Sequence, residues 1–202
     1  MRIIIVRHGQ TTENAKTQNI GHDNEALLTE EGILQAEKLG HHLKGEKITH
    51  AYSSPQKRAV HTAEKILQHH PIAKITHVDE LREQGLGAAE VLPKEVRKEM
   101  IKNSGQPWHL FKAEKGESYV ELQERAKKFL HEMVKKHPND TVLVVSHGGT
   151  LGVLLLHILE KELNEENYRA HQPKNTEFTV VEIFDDGKRN IHKLNSREHL
   201  DG

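Results

Sequence analysis

Two histidines in this 202-residue chain stand in matching surroundings. Ile3, Ile4, Ile5 and Val6 run directly into Arg7-His8-Gly9, and Val142, Leu143, Val144 and Val145 run into Ser146-His147-Gly148-Gly149. Imidazole changes charge near neutral pH, so it serves as nucleophile, general base or metal ligand. Two histidines with carboxylates could hold zinc or iron for hydrolysis. The spacing speaks against this, because no His-x-x-x-His lies on a predicted helix and no aspartate adjoins either strand-end histidine. Covalent phosphoryl transfer fits better: a histidine nitrogen attacks phosphorus while cations hold the equatorial oxygens.

The sequence supplies those cations. Arg7 adjoins His8, and Ser53-Ser54-Pro55 reads as a cap followed by proline in the first turn of a helix running through Gln68. Arg58 then falls in that first turn, where the helix dipole disfavours a cation. Alone, it reads as an exposed surface arginine. An anion bound between the helix N-terminus and the guanidinium would remove the conflict. Beside Arg7 and Arg58, His8 should stay neutral, the form that attacks. The leaving alkoxide needs a proton from a carboxylic acid beyond the phosphorus, and Glu83, just before Gly85 and Gly87, is the candidate.

The elements that must position these groups follow from patterning. Unbroken β-branched runs suit strands buried on both faces of a parallel sheet, and ligands bind beyond the carboxyl ends of such strands. Thr29 caps a predicted helix carrying Ile33, Ala36, Leu39, Gly40 and Leu43, which ends at Gly45. Ser118 caps another, with Leu122, Ala126, Phe129, Leu130 and Met133 on one face, ending near His137-Pro138. Short strands are expected at Ile48 to Tyr52 and Ile75 to Val78, and a helix from Gly149 to about Leu163. Thr176 to Phe184 and Ile191 to Leu194 read as an edge hairpin, with a mobile polar tail from Asn195. The expected fold is α/β, a three-layer, mostly parallel sheet flanked by helices.

Composition narrows the function further. A net charge of -1 excludes an overall basic field for nucleic acid. The absence of cysteine excludes disulfides, thiolate zinc sites and cysteine nucleophiles. No apolar run is long enough to span a bilayer, and the N-terminus lacks a signal-peptide pattern, so the expectation is a cytoplasmic protein without membrane or nucleic-acid partners. Gly40, Gly45 and Lys47 come near a phosphate loop, but Glu46 stands where lysine is required. His41-His42 and His69-His70 read as polar helix faces, and Trp108 and Phe111 as anchors of a loop rather than base-stacking groups.

Taken in order, these blocks resemble the histidine phosphatase superfamily, branch 1, which includes the cofactor-dependent phosphoglycerate mutases. Val6-Arg7-His8-Gly9-Gln10-Thr11 with Asn14 is similar to its opening signature, and Leu28-Thr29 with Gly32, Gln35 and Ala36 to its first helix. Ser53-Ser54-Pro55 with Arg58-Ala59 and Thr62-Ala63, Leu81-Arg82-Glu83, Gly116-Glu117-Ser118 with Arg125, and Val145-Ser146-His147-Gly148-Gly149 resemble the later blocks. The resemblance implies a phosphoglycerate mutase-like fold with His8 as phosphohistidine and Glu83 as proton donor. Arg7, Arg58 and His147 would clamp the phosphoryl group, with Asn14, Gln10 and Gly148 completing the substrate-binding set. The family's acidic, tryptophan-containing stretch after Glu83 is replaced here by Gln84-Gly85-Leu86-Gly87-Ala88-Ala89-Glu90-Val91, so pocket shape does not carry over.

The expectation is therefore a metal-independent phosphomonoesterase, with no cofactor, acting on a small phosphorylated metabolite as a monomer or homodimer. Two alternatives are a mutase, disfavoured by Gly148-Gly149-Thr150-Leu151 in place of the Asn-Ser continuation typical of mutases, and an inactive binder of phosphorylated ligands. One domain spans 1-202, with a lid-like insertion at 84-118. Within that insertion Lys94, Arg97, Lys98, Lys102, Lys112 and Lys115 outnumber Glu95, Glu99 and Glu114, either a solvated face or a lid for an anionic substrate.

Overall fold

The computed structural model describes residues 1–15 and 25–201. Strands β1 (Arg2–Arg7), β2 (Ile48–Ser53), β3 (Lys74–His77), β4 (Thr141–Ser146), β5 (Phe178–Ile183) and β6 (Arg189–Ser196) form one sheet in the order β3-β2-β4-β1-β5-β6. The first four are mutually parallel, and β5 and β6 add an antiparallel hairpin at one edge. Helices α1 (Thr12–Ala15), α2 (Glu30–Leu43), α3 (Lys57–Leu67), α4 (Lys94–Asn103), α5 (Tyr119–Lys136), α6 (Gly148–Ile158) and α7 (Glu165–His171) complete the fold.

Side chains of β1 alternate between two cores, as the strand period of two requires. Ile3 and Ile5 pack with Phe129 of α5 and Leu151 of α6, while Ile4 and Val6 pack with Leu39 of α2 and Ala63 and Ile66 of α3. This gives three layers with β1 and β4 at the centre. Each fully buried aliphatic side chain contributes about 1.5–3 kcal/mol, so the residues ahead of His8 sit on rigid support.

The caps expected at Thr29 and Ser118 form. Thr29 Oγ1 accepts from the Gly32 amide at 3.0 Å, and Ser118 and Glu121 make a reciprocal capping box. Several boundaries differ from the sequence reading. Helix α3 begins at Lys57 behind Gln56, so Pro55 precedes it and Ser54 spends its side chain elsewhere. The helix after His147 stops at Ile158, and α7 follows as a separate element. The tail is not loose: Ser196 closes β6, and His199 is buried edge-on against Phe178.

Candidate active site

Register brings the two histidines together. In the parallel pair β1 and β4, Arg7 stands opposite Ser146, so His8 and His147 follow side by side at the carboxyl edge. The His8 amide donates to Ser146 O at 3.0 Å, and the two imidazole centroids lie 5.2 Å apart. On the other side of β4, β2 ends at Ser53 opposite Val145, which delivers Ser54 and the start of α3 to the same edge.

His8 Nδ1 is 2.7 Å from the Gly9 carbonyl oxygen. A carbonyl can only accept, so Nδ1 carries the proton and Nε2 holds the lone pair. His147 Nε2 meets Ser54 Oγ at 2.8 Å. Burial first, and then the charges of Arg7 and Arg58, push the pKa of His8 well below 6.5. Burial, followed by Arg58, His8 and Arg7, does the same to His147. Both rings are neutral at physiological pH.

Arg58 is only 1% exposed, which corrects the bland expectation of a surface arginine. Arg7 donates through Nη1 to Pro173 O at 2.8 Å. Among the described residues its Nε, like His147 Nδ1, is buried without a hydrogen-bond partner. A buried guanidinium, Arg58, and a half-buried one, Arg7, beside two neutral imidazoles make a concentrated cationic site suited to a phosphate dianion.

Glu83 reaches this site from a loop. Its Oε2 accepts from the Gly149 amide at 2.9 Å, and its Oε1 accepts from the Thr150 amide at 3.1 Å and the Gln84 amide at 2.9 Å. The carboxylate therefore sits on the N-terminus of α6, where the dipole favours negative charge. Gly149 permits that approach: a Cβ there would lie 2.3 Å from Glu83 Oε1. Arg125 fixes the loop from behind, donating to Glu80 O at 2.6 Å and Glu83 O at 3.1 Å while its fork grips Glu117. Gln56 Oε1 accepts from the Glu83 amide at 2.9 Å, which ties the start of α3 to the same loop.

A cavity of about 260 Å³ has Arg7, His8, Asn14, Arg58, Glu83 and Gly148 in its lining, while His147 is fully buried and does not form part of that surface. Asn14 Oδ1 accepts from Asn175 Nδ2, which also donates to His8 O. Gln10 does not join them: its backbone amide donates to Gln35, and its side-chain oxygen accepts from Thr29. The far wall comes from 84–118 and from α7, which the sequence reading missed. Trp108 stacks on Tyr119 with centroids 4.1 Å apart, and Tyr168 of α7 completes the cluster. Gly152 makes room for Tyr168, since a Cβ there would lie 2.8 Å from its ring. Burial raises the Tyr119 phenol to about 12 and also raises that of Tyr168, so both remain neutral donors.

The sequence profile of the histidine phosphatase superfamily (branch 1) matches residues 3–197. A broad-specificity phosphatase of Saccharomyces cerevisiae is 30% identical over 99% of this chain and 87% of its own length. A metal-independent phosphoserine phosphatase of Arabidopsis thaliana is 32% identical over 78% of this chain and 68% of its own. Among solved structures, Bacillus stearothermophilus YhfR superposes with a TM-score of 0.87 at 27% identity, covering 98% of both chains. Phosphoserine phosphatase of Entamoeba histolytica, in complex with 3-phosphoglyceric acid, gives 0.84 at 28% identity and also covers 98% of both. This chain belongs to branch 1 of the histidine phosphatase superfamily, and it is a phosphatase of that family.

Proposed function

We propose that the chain hydrolyses small phosphate monoesters, without metal, through a phosphohistidine on His8. The observation that carries this is the His8 tautomer: Nδ1–H is spent on the Gly9 carbonyl, which leaves Nε2 as the nucleophile among buried cations. Nε2 bonds to phosphorus as the ester P–O bond breaks, and Glu83, which has taken the acidic proton of the monoanionic ester as it binds, gives that proton to the departing alkoxide. Glu83, now a carboxylate, takes a proton from water as that water attacks phosphorus, and the P–N bond breaks to release phosphate. Arg7, Arg58 and His147 hold the equatorial oxygens throughout, with Asn14 and the Gly148 amide at their margin. Gln10, engaged with Thr29, supports the loop instead of touching substrate.

Residues 84–118 act as a lid over this site and select the substrate. Lys94, Arg97 and Lys98 line the cavity, which favours a phosphorylated metabolite bearing a second anionic group, such as the carboxylate of the 3-phosphoglyceric acid named with the Entamoeba structure. Every residue of the site comes from one chain, so a monomer or a homodimer can work equally well. No described helix is long and apolar enough to cross a membrane, which accords with action in the cytoplasm.

Acid quenching hydrolyses the P–N bond of phosphohistidine, so rapid alkaline quenching after mixing with a radiolabelled ester is the appropriate test. The wild-type chain should retain label with or without chelator. His8→Ala should retain none, and its turnover should fall by at least about 10³-fold. Activity abolished by chelator, or undiminished in His8→Ala, would refute the mechanism.

A further inference from the structure

The edge of the sheet opposite the active site holds a second group of ligand-type side chains. His50 lies near the start of β2, His137 follows α5, and Asp140 immediately precedes β4. We infer that His50, His137 and Asp140 form a structural site for a divalent transition metal of the zinc type.

Ligand type and spacing carry the inference. Two imidazoles and one carboxylate are donors that zinc accepts, with water filling a fourth position. Asp140 Oδ2 is 3.0 Å from His137 Nδ1 and 3.4 Å from His50 Nδ1, and all three ligand atoms lie within 4.8 Å of one another. Donors on a tetrahedron around zinc, with bonds of about 2.0–2.1 Å, stand about 3.3 Å apart. The two imidazole centroids are 4.1 Å apart, somewhat closer than ligands would sit, and the half-exposed His50 ring is able to swing outward.

A supporting contact is already in place. His137 is buried, and its Nε2 lies 2.8 Å from the Tyr52 hydroxyl. Donation from Nε2–H to that oxygen leaves the Nδ1 lone pair facing Asp140, the arrangement metal-bound histidines use. Without metal, a proton on His137 Nδ1 would take the same place, with Tyr52 donating to Nε2. His50 Nδ1 also meets Thr49 Oγ1 at 3.1 Å, a bond that metal would displace. Filled, the site clips β2 to the turn between α5 and β4, remote from the phosphate cavity.

Cobalt(II) and zinc titrations of the intact protein test this. The wild type should bind one equivalent tightly, show a tetrahedral cobalt spectrum, and melt about 5–10 °C higher at a hundredfold excess of zinc over its Kd. His50→Ala and Asp140→Asn, both at positions outside the core, should weaken that binding by at least about 100-fold and remove the thermal shift while retaining ester turnover. Tyr52→Phe should weaken it about 10-fold. The chain has 17 histidines, so His69→Ala serves as the control and should bind like wild type. No tight equivalent in the wild type, or binding unchanged in His50→Ala and Asp140→Asn, would overturn the assignment.

Discussion

A methyl group on Gly149 would stand 2.3 Å from Glu83 Oε1 and 3.0 Å from its Cδ, where ordinary contact needs 3.4–4 Å. The atoms it meets end a side chain, so the carboxylate yields and the backbone stays. Alanine in the first turn of α6 gains about 1 kcal/mol in helix propensity over glycine, which offsets much of the loss in hydrogen bonding to the carboxylate. Melting should therefore move by no more than about 3 °C. Catalysis has no such compensation, because Glu83 must retreat by about 1 Å, and a displacement of that size costs about 10²-fold when the group transfers a proton. Single-turnover quenching separates this from general damage. Phosphohistidine formation from an alkyl phosphate, whose leaving group needs a proton, should slow by about 10²-fold in Gly149→Ala. Formation from 4-nitrophenyl phosphate, whose phenolate leaves unaided, should hardly change. The phosphoenzyme should then accumulate, because its hydrolysis needs the same carboxylate as a base. Equal slowing with both esters, or no slowing with either, would refute the role given to Glu83.

Two further outcomes follow from the buried cations and the neutral imidazoles beside them. Arg58→Lys keeps a positive charge but loses the planar fork, so kcat/KM should fall by about 10²-fold and vanadate binding should weaken with it; unchanged kinetics would remove Arg58 from the phosphate clamp. The histidine shifts give a pH dependence of defined sign. His8 and His147 stay neutral in the folded chain well below 6.5 and take up protons when unfolded, so stability falls as pH drops through 6.5 toward their folded values. Each contributes at most about 1.4 kcal/mol per pH unit in that window, or about 2.7 kcal/mol for the pair. His199, held down to about 4 chiefly by burial, acts in the same direction. Urea midpoints measured at about pH 7.5 and about pH 5.5 check this, and a midpoint equal or higher in acid would contradict it.

What could be read in advance depended on whether a feature announces itself locally. Four consecutive β-branched or aliphatic residues that stop at a histidine and glycine mark β1 and β4, whereas the similar run Val153 to Leu156 lies inside α6, and a histidine after each strand shares an edge once the strands are parallel neighbours. The caps at Thr29 and Ser118 were legible for the same reason, each being settled within four residues. Ser54 was misread because the Ser-Ser-Pro pattern satisfies the local rule for a cap, whereas its hydroxyl lies against His147, 93 positions away. Resemblance places Arg58 in the phosphate clamp, and only its position in the helix, taken alone, suggests the surface residue that its burial rules out. Tyr168 of the far wall carries no signal of its own, because α7 is short and the ring reaches back to Tyr119, and Asn175, beyond the end of α7, is equally silent because its side chain reaches back to His8. Glu83 lies between these cases. Family likeness marked the residue, but its geometry comes from a backbone that approaches within hydrogen-bonding distance only because Gly149, 66 positions later, lacks a side chain. The paired glycines after His147 were visible from the start as a loop signal. Gly149 lets Glu83 rest on the helix that begins at the second histidine, while Gly148 leaves room for the Arg7 guanidinium, so under the proposed mechanism a single segment both holds the phosphate and sets the reach of the proton donor.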